Sequence, residues 1–138
     1  MTLRLPAACF CLCLVAATPS TQVFPSQFQG SWGDTLASCE PEFTHGFTIE
    51  KDEIGYYEGI DQIIYATPVT TIKTKLGAGL TMVVDLEYRH HKHSSTSSDR
   101  FTLIGNKWLY RSDSQLPMSK HLSIKYRTVR CPPGSTDS

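Results

Sequence analysis

The sequence predicts an all-β protein, a small antiparallel barrel of about eight strands closed by one disulfide. Three observations carry that expectation. Short runs alternate apolar and polar residues between turn residues. No run holds a convincing apolar stripe of helical period over three turns. Two cysteines near opposite ends of the chain survive removal of an amino-terminal export signal. Strands without helices to cover an open sheet must bury one face against another sheet or against themselves, and closure also removes exposed edges.

Residues 1–17 have the layout of a secretory signal peptide. Arg4 precedes an apolar run over residues 5–17, and Val15, Ala16 and Ala17 place small residues where cleavage is read. The run is too short to span a bilayer as a helix. Cleavage after Ala17 removes Cys9, Cys11 and Cys13 and leaves Cys39 and Cys131. A pair in an oxidising compartment is most simply one disulfide, and Cys-x-x-Cys spacing for redox or metal chemistry is absent. The bridge would close a loop of roughly 90 residues, which the chain-entropy model values at about 4–5 kcal/mol.

About 120 residues then remain, enough for one core and too few for two. Residues 18–27, rich in Pro, Ser and Thr, are expected to be a flexible leader. Residues 28–131 form the single domain and residues 132–138 a disordered tail. The 13 basic residues fall to 12 without Arg4, against 13 acidic, so global charge argues against nucleic acid as partner. The charge is unevenly laid: between Asp34 and Asp61 eight carboxylates face the single Lys51, while basic residues predominate from Lys73 to Arg130. Pairing between the two halves of one sheet explains that division, as does a polarised surface that steers a charged partner.

Along the chain, Phe43, His45, Phe47 and Ile49 alternate with Thr44, Gly46 and Thr48, the period of a half-buried strand. A polar turn at Lys51, Asp52 and Glu53 leads to strands over residues 54–58 and 60–65, with Gly59 as a bend. Thr70, Ile72, Thr74 and Leu76 share one face of the next strand. Gly77, Ala78 and Gly79 give the best turn signal in the chain. Leu80, Met82, Val84, Leu86 and Tyr88 then make the strongest alternation, with the apolar face expected in the core. Strands over residues 100–104 and 107–111 flank a Gly105-Asn106 hairpin turn. After a polar loop over residues 112–120, Leu122, Ile124 and Tyr126 alternate with Ser123, Lys125 and Arg127.

Phe28, Gly30 and Trp32 form Phe-x-Gly-x-Trp, which resembles the first-strand signature of the calycin superfamily of lipocalins, fatty-acid-binding proteins and avidins. The resemblance implies a glycine that bends the chain into the first strand and a tryptophan that closes one barrel end. It also implies an arginine from a late strand over that tryptophan, here Arg127 or Arg130. It covers five residues, and the lipocalin Thr-Asp-Tyr motif and the helical lid of fatty-acid-binding proteins are absent. Small periplasmic protease inhibitors are similar in size, export signal, lone disulfide and Gly-x-Trp opening.

Candidate chemistry is sparse. His90, His91 and His93 surround Lys92 before a serine-rich stretch, residues 94–98. On an extended segment His91 and His93 point the same way and could share Zn²⁺ or Cu²⁺, but polar residues at a hairpin tip explain them equally well. Glu50, Asp52, Glu53, Glu58 and Asp61 could pair for acid/base work only if two of them faced one cleft. Glu58 follows Tyr56 and Tyr57, and an inward Glu58 would seek Lys125 or Arg127. Phe43, Phe47, Tyr56, Tyr65, Tyr88, Phe101, Trp108 and Tyr126 could line a lumen or simply fill it. No Gly-x-Ser-x-Gly elbow, phosphate loop or dinucleotide fingerprint occurs, and no cofactor is implied.

The leading expectation is a secreted or periplasmic, non-enzymatic binding protein of inhibitor or immunity type. The alternative is a carrier of a small apolar ligand, and a metal-assisted enzyme comes third. Binding residues are sought at Trp32, Tyr56, Tyr57, Glu58, Arg127 and Arg130, and a metal at His91 and His93. The partner is a protein or a small apolar molecule, with no nucleic acid and no membrane span.

Overall fold

A computed structural model of the protein describes residues 23–40 and 46–133. Residues 1–22, 41–45 and 134–138 lie outside the described residues, and with them the expected signal peptide, most of the expected leader, Phe43 and His45. The described residues form nine strands. They are β1 (Gly30–Gly33), β2 (Phe47–Ile49), β3 (Glu53–Gly55), β4 (Ile60–Ala66), β5 (Thr70–Thr74), β6 (Gly77–His90), β7 (His93–Ile104), β8 (Trp108–Asp113) and β9 (Arg127–Arg130). All pairings are antiparallel, in the order β4-β3-β2-β1-β9-β8-β7-β6-β5, and β4 also pairs with β6. That last pairing closes eight strands into a barrel. β5 lies outside the ring as a flap on the first half of β6.

The alternation on β6 works as expected: Met82, Val84 and Leu86 are buried, and Leu80 packs against them. Strand partners opposite one another share a face. Ile49↔Ile54, Ile63↔Leu86, Ala66↔Val84, Met82↔Phe101 and Leu103↔Leu109 therefore stack as an interior column. A register shift between Ile63 and Tyr65 leaves Ile64 and Tyr65 on the outside.

One end of the barrel is sealed. Gly30 enters β1 at φ 127°, a conformation that costs a side chain dearly. Trp32 follows, buried, and its indole Nε1 donates to Phe28 O at 3.0 Å. Arg130 is the Cα partner of Trp32 across the β1–β9 seam, and its guanidinium lies 4.3 Å from the indole centroid. The same guanidinium donates to Gln27 O, Gln29 O and Asn106 O at 2.5–2.7 Å. Cys39 and Cys131 are bonded, and the Cys131 N–H donates to Ser31 O at 2.8 Å.

Several expectations need correction. Residues 23–27 are no loose leader: Phe24 is buried against Phe101, and its N–H bonds Lys51 O at 2.7 Å. Gly77, Ala78 and Gly79 do not turn; Lys75 and Leu76 do, and the three pair with Thr74, Lys73 and Ile72. A Cβ at Gly79 would meet Ile104 Cδ1 at 2.7 Å and Leu103 O at 2.8 Å, so this glycine serves packing. The serine-rich stretch, residues 94–98, is part of β7, because polarity marks exposure and the ladder to β6 continues along it. Leu122, Ile124 and Tyr126 form no strand. The segment holds helix α1 (Met118–His121) and a 3₁₀ turn, Ile124–Tyr126, with Ile124 exposed, and β9 begins only at Arg127.

Leu86→Ala, which empties a fully buried site on β6, should destabilise by about 2–4 kcal/mol in urea unfolding. A loss below about 1 kcal/mol would contradict the interior placement of this face.

Candidate functional site

The opposite end of the barrel is built differently. Leu109 and Arg111 share the inner face of β8, so the strand that fills the core also sends a guanidinium up toward the mouth. Arg111 is held on three sides. Its Nε donates to Asp99 at 2.8 Å, its Nη2 to Asp61 at 2.9 Å, and its Nη1 to the Tyr56 hydroxyl. Tyr56 in turn donates to Asp61. The rings of Phe47, Tyr56 and Phe101 lie 5.2–5.6 Å from the guanidinium carbon. Asp61 is 4% exposed, and an acid buried so deeply is stable only with such a partner. Burial pushes the Tyr56 phenol well above its ordinary pKa, so it stays a neutral donor.

Above this group opens a cavity of about 540 Å³, lined by Gly46, Tyr56, Tyr57, Glu58, Asp61, Tyr88, Ser97 and Arg111. Its walls are the β3–β4 turn and the inner faces of β6 and β7. The turn is tied to the β6–β7 hairpin through His90 Nδ1 and the Glu58 carbonyl. Tyr56 and Tyr88 meet edge to face at 6.1 Å, while Tyr57 stands 78% exposed on the rim.

The residues singled out from the sequence separate into distinct places. Tyr56, Tyr57 and Glu58 come together at this mouth. Trp32 and Arg130 lie at the sealed end. Arg127 is on the outside, 4.1 Å over the Trp108 ring, and Lys125 lies 5.2 Å over Tyr126. Neither reaches Glu58, which is exposed; the buried acid is Asp61 and its partner Arg111. His91 sits in the two-residue turn at φ 50°, and His93 pairs with His90 across it. Among the described residues no three His, Cys, Asp or Glu side chains converge to hold a metal ion. Of the aromatic residues expected in the lumen, Tyr65 is exposed, and Trp108 lies on the opposite face of β8 from Leu109.

A second polar network, absent from the sequence reading, lies outside the barrel under α1. His121 Nδ1 is 2.5 Å from Ser112 Oγ, and its Nε2 is 2.8 Å from Thr102 Oγ1, which meets Thr81 Oγ1 at 2.9 Å. His121 is fully buried and Ser112 nearly so. Neither lines the mouth cavity, so this Ser–His pair works as a clamp between α1 and the barrel wall. Arg100 secures the same loop through Leu116 O at 2.7 Å and Ser114 O at 3.0 Å. Burial, with Arg100 beside it, lowers the His121 pKa from 6.5 to about 4. No helix among the described residues is long and apolar enough to cross a membrane.

The clamp makes stability depend on pH. The unfolded chain takes up a proton at His121 before the folded chain does, so stability is full above about pH 6.5 and falls toward pH 4. The loss from this group reaches about 3 kcal/mol. Denaturant unfolding at a series of pH values should show that slope in the wild type and a flatter one in His121→Gln. An unchanged slope in the variant would contradict it.

No protein-family model, curated protein or solved structure matches the chain.

Proposed function

We propose that the protein works outside the cytoplasm as a binding barrel of inhibitor or immunity type, docking a partner protein at the open mouth. The observation that carries this reading is the contrast between a filled interior and an open, tyrosine-lined end. Beneath Arg111 the lumen is occupied by Phe24, Phe28, Trp32, Ile49, Ile54, Met82, Leu86 and Phe101. That filling disfavours the alternative, a carrier holding an apolar ligand inside. The mouth instead offers Tyr57 to an incoming surface, and tyrosines bury large contact area at low cost in side-chain entropy. The walls are paired strands and hydrogen-bonded turns, so little ordering is left for association to impose.

The disulfide is compatible with an extracellular or periplasmic setting and supports the export reading of residues 1–17. The Trp32–Arg130 stack and the positive-φ Gly30 support a calycin-like reading of the barrel.

Immobilised exported protein should capture a partner from its native secretome. Tyr57→Ala should reduce that capture about 10-fold or more, because a rim tyrosine at an interface centre is a typical energetic anchor. Thr71→Ala, on the exposed β5 flap outside the ring, should leave it unchanged. Capture insensitive to Tyr57, or lost with Thr71, would refute docking at the mouth.

A further inference from the structure

We infer that the mouth receives a cationic side chain, Lys or Arg, presented by the partner; the inference rests on the docking reading above and names the chemistry of what docks. Charge comes first. Arg111 is one cation bonded to two carboxylates, Asp61 and Asp99, so the inner group carries one net negative charge. Asp113 is the strand partner of Asp99 and lies on the same face, and Glu58 stands on the rim beside Tyr57. Every acid here adds to the same sign.

Among the described residues that line the cavity, the one cation, Arg111, is already committed. Three of its donor nitrogens are engaged by Asp99, Tyr56 and Asp61, and three rings crowd its carbon. It is therefore a poor receptor for an incoming anion. Both bonds to Asp61 fall on Oδ2, so its Oδ1 lies outside them while the residue lines the cavity.

The walls supply the second half of the recognition. Tyr56, Tyr57 and Tyr88 give the cavity π-faces, and an ammonium or guanidinium held among aromatic rings is attracted by their quadrupoles. Tyrosine walls with carboxylates at floor and rim form the arrangement that binds organic cations in preference to neutral groups of equal size. A volume of about 540 Å³ admits a whole Lys or Arg side chain with its flanking backbone.

The probes are four blocked tripeptides, acetyl-Gly-X-Gly-amide with X as Lys, Arg, norleucine or Glu, titrated into the exported protein at neutral pH. Amide NMR signals of Gly46, Gly59 and Ser97 are followed. The Lys and Arg peptides should give saturable shifts, with the norleucine and Glu peptides about 5-fold or more weaker. Glu58→Gln, an exposed and conservative change, should weaken the Lys peptide about 3-fold and reduce its salt dependence. Equal binding of norleucine and Lys would overturn the assignment in favour of an apolar slot. Preference for Glu would overturn it in favour of Arg111 as an anion receptor, and no saturable shift with any peptide would also overturn it. If capture of a partner depends on Tyr57 while no cation preference appears, docking stands and its charge chemistry falls. A cation preference with capture independent of Tyr57 gives the reverse.

Discussion

Barrel closure depends on a seam only two residue pairs long, Trp32↔Arg130 and Gly33↔Val129, between the first and last strands. So few ladder bonds leave the join weak unless side chains reinforce it. Arg130 supplies the reinforcement: one guanidinium covers the indole and binds carbonyls both before β1 and in the β7–β8 turn. The Cys39–Cys131 bond holds the residue after β9 beside the region after β1. Trp32 lies on that seam and its indole is bonded to Phe28 O, so the part of the aromatic floor that these two residues form takes its position from the seam.

The two barrel ends use the same residue type to opposite effect. At the sealed end Arg130 is satisfied by backbone carbonyls and one ring, which closes the chain on itself. At the mouth Arg111 is satisfied by carboxylates and a phenol, beneath a cavity lined by Tyr57, Tyr88 and the exposed Glu58. A buried group of this kind contributes little net stability against an apolar replacement, yet removing either partner strands a charge. Its value lies in holding Tyr56 and Asp61 in fixed positions beneath the cavity. The third polar site, His121 with Ser112 and Thr102, fastens α1 to the wall without touching either end.

Much of the fold was legible because strand alternation is a local signal that burial enforces. Residues 80–86 read correctly for that reason, and Cys39 and Cys131 were legible as a pair because they are the two cysteines that lie outside residues 1–17. Phe24 was missed because composition describes its Pro- and Ser-rich neighbours, while one aromatic side chain decides where the segment goes. Leu122, Ile124 and Tyr126 misled because three alternating residues fit a 3₁₀ turn as well as a strand, and no buried face stood behind Ile124. Tyr56, Tyr57 and Glu58 were visible as a cluster. Arg111 was not, although its phase with Leu109 was available: an inward cation becomes credible only once Asp61, from a distant strand, is known to meet it. His121 gave no signal, since its partners Ser112 and Thr102 become neighbours only through the folded topology.

Hydrogen exchange on Arg130→Met tests the dependence of closure on that guanidinium most directly. If the seam rests on Arg130, the Cys131 amide that bonds Ser31 and the other β1 and β9 amides lose protection by about 10-fold or more, while central β6–β7 amides keep theirs. Uniform loss across all strands, or unchanged protection at the seam, would contradict it.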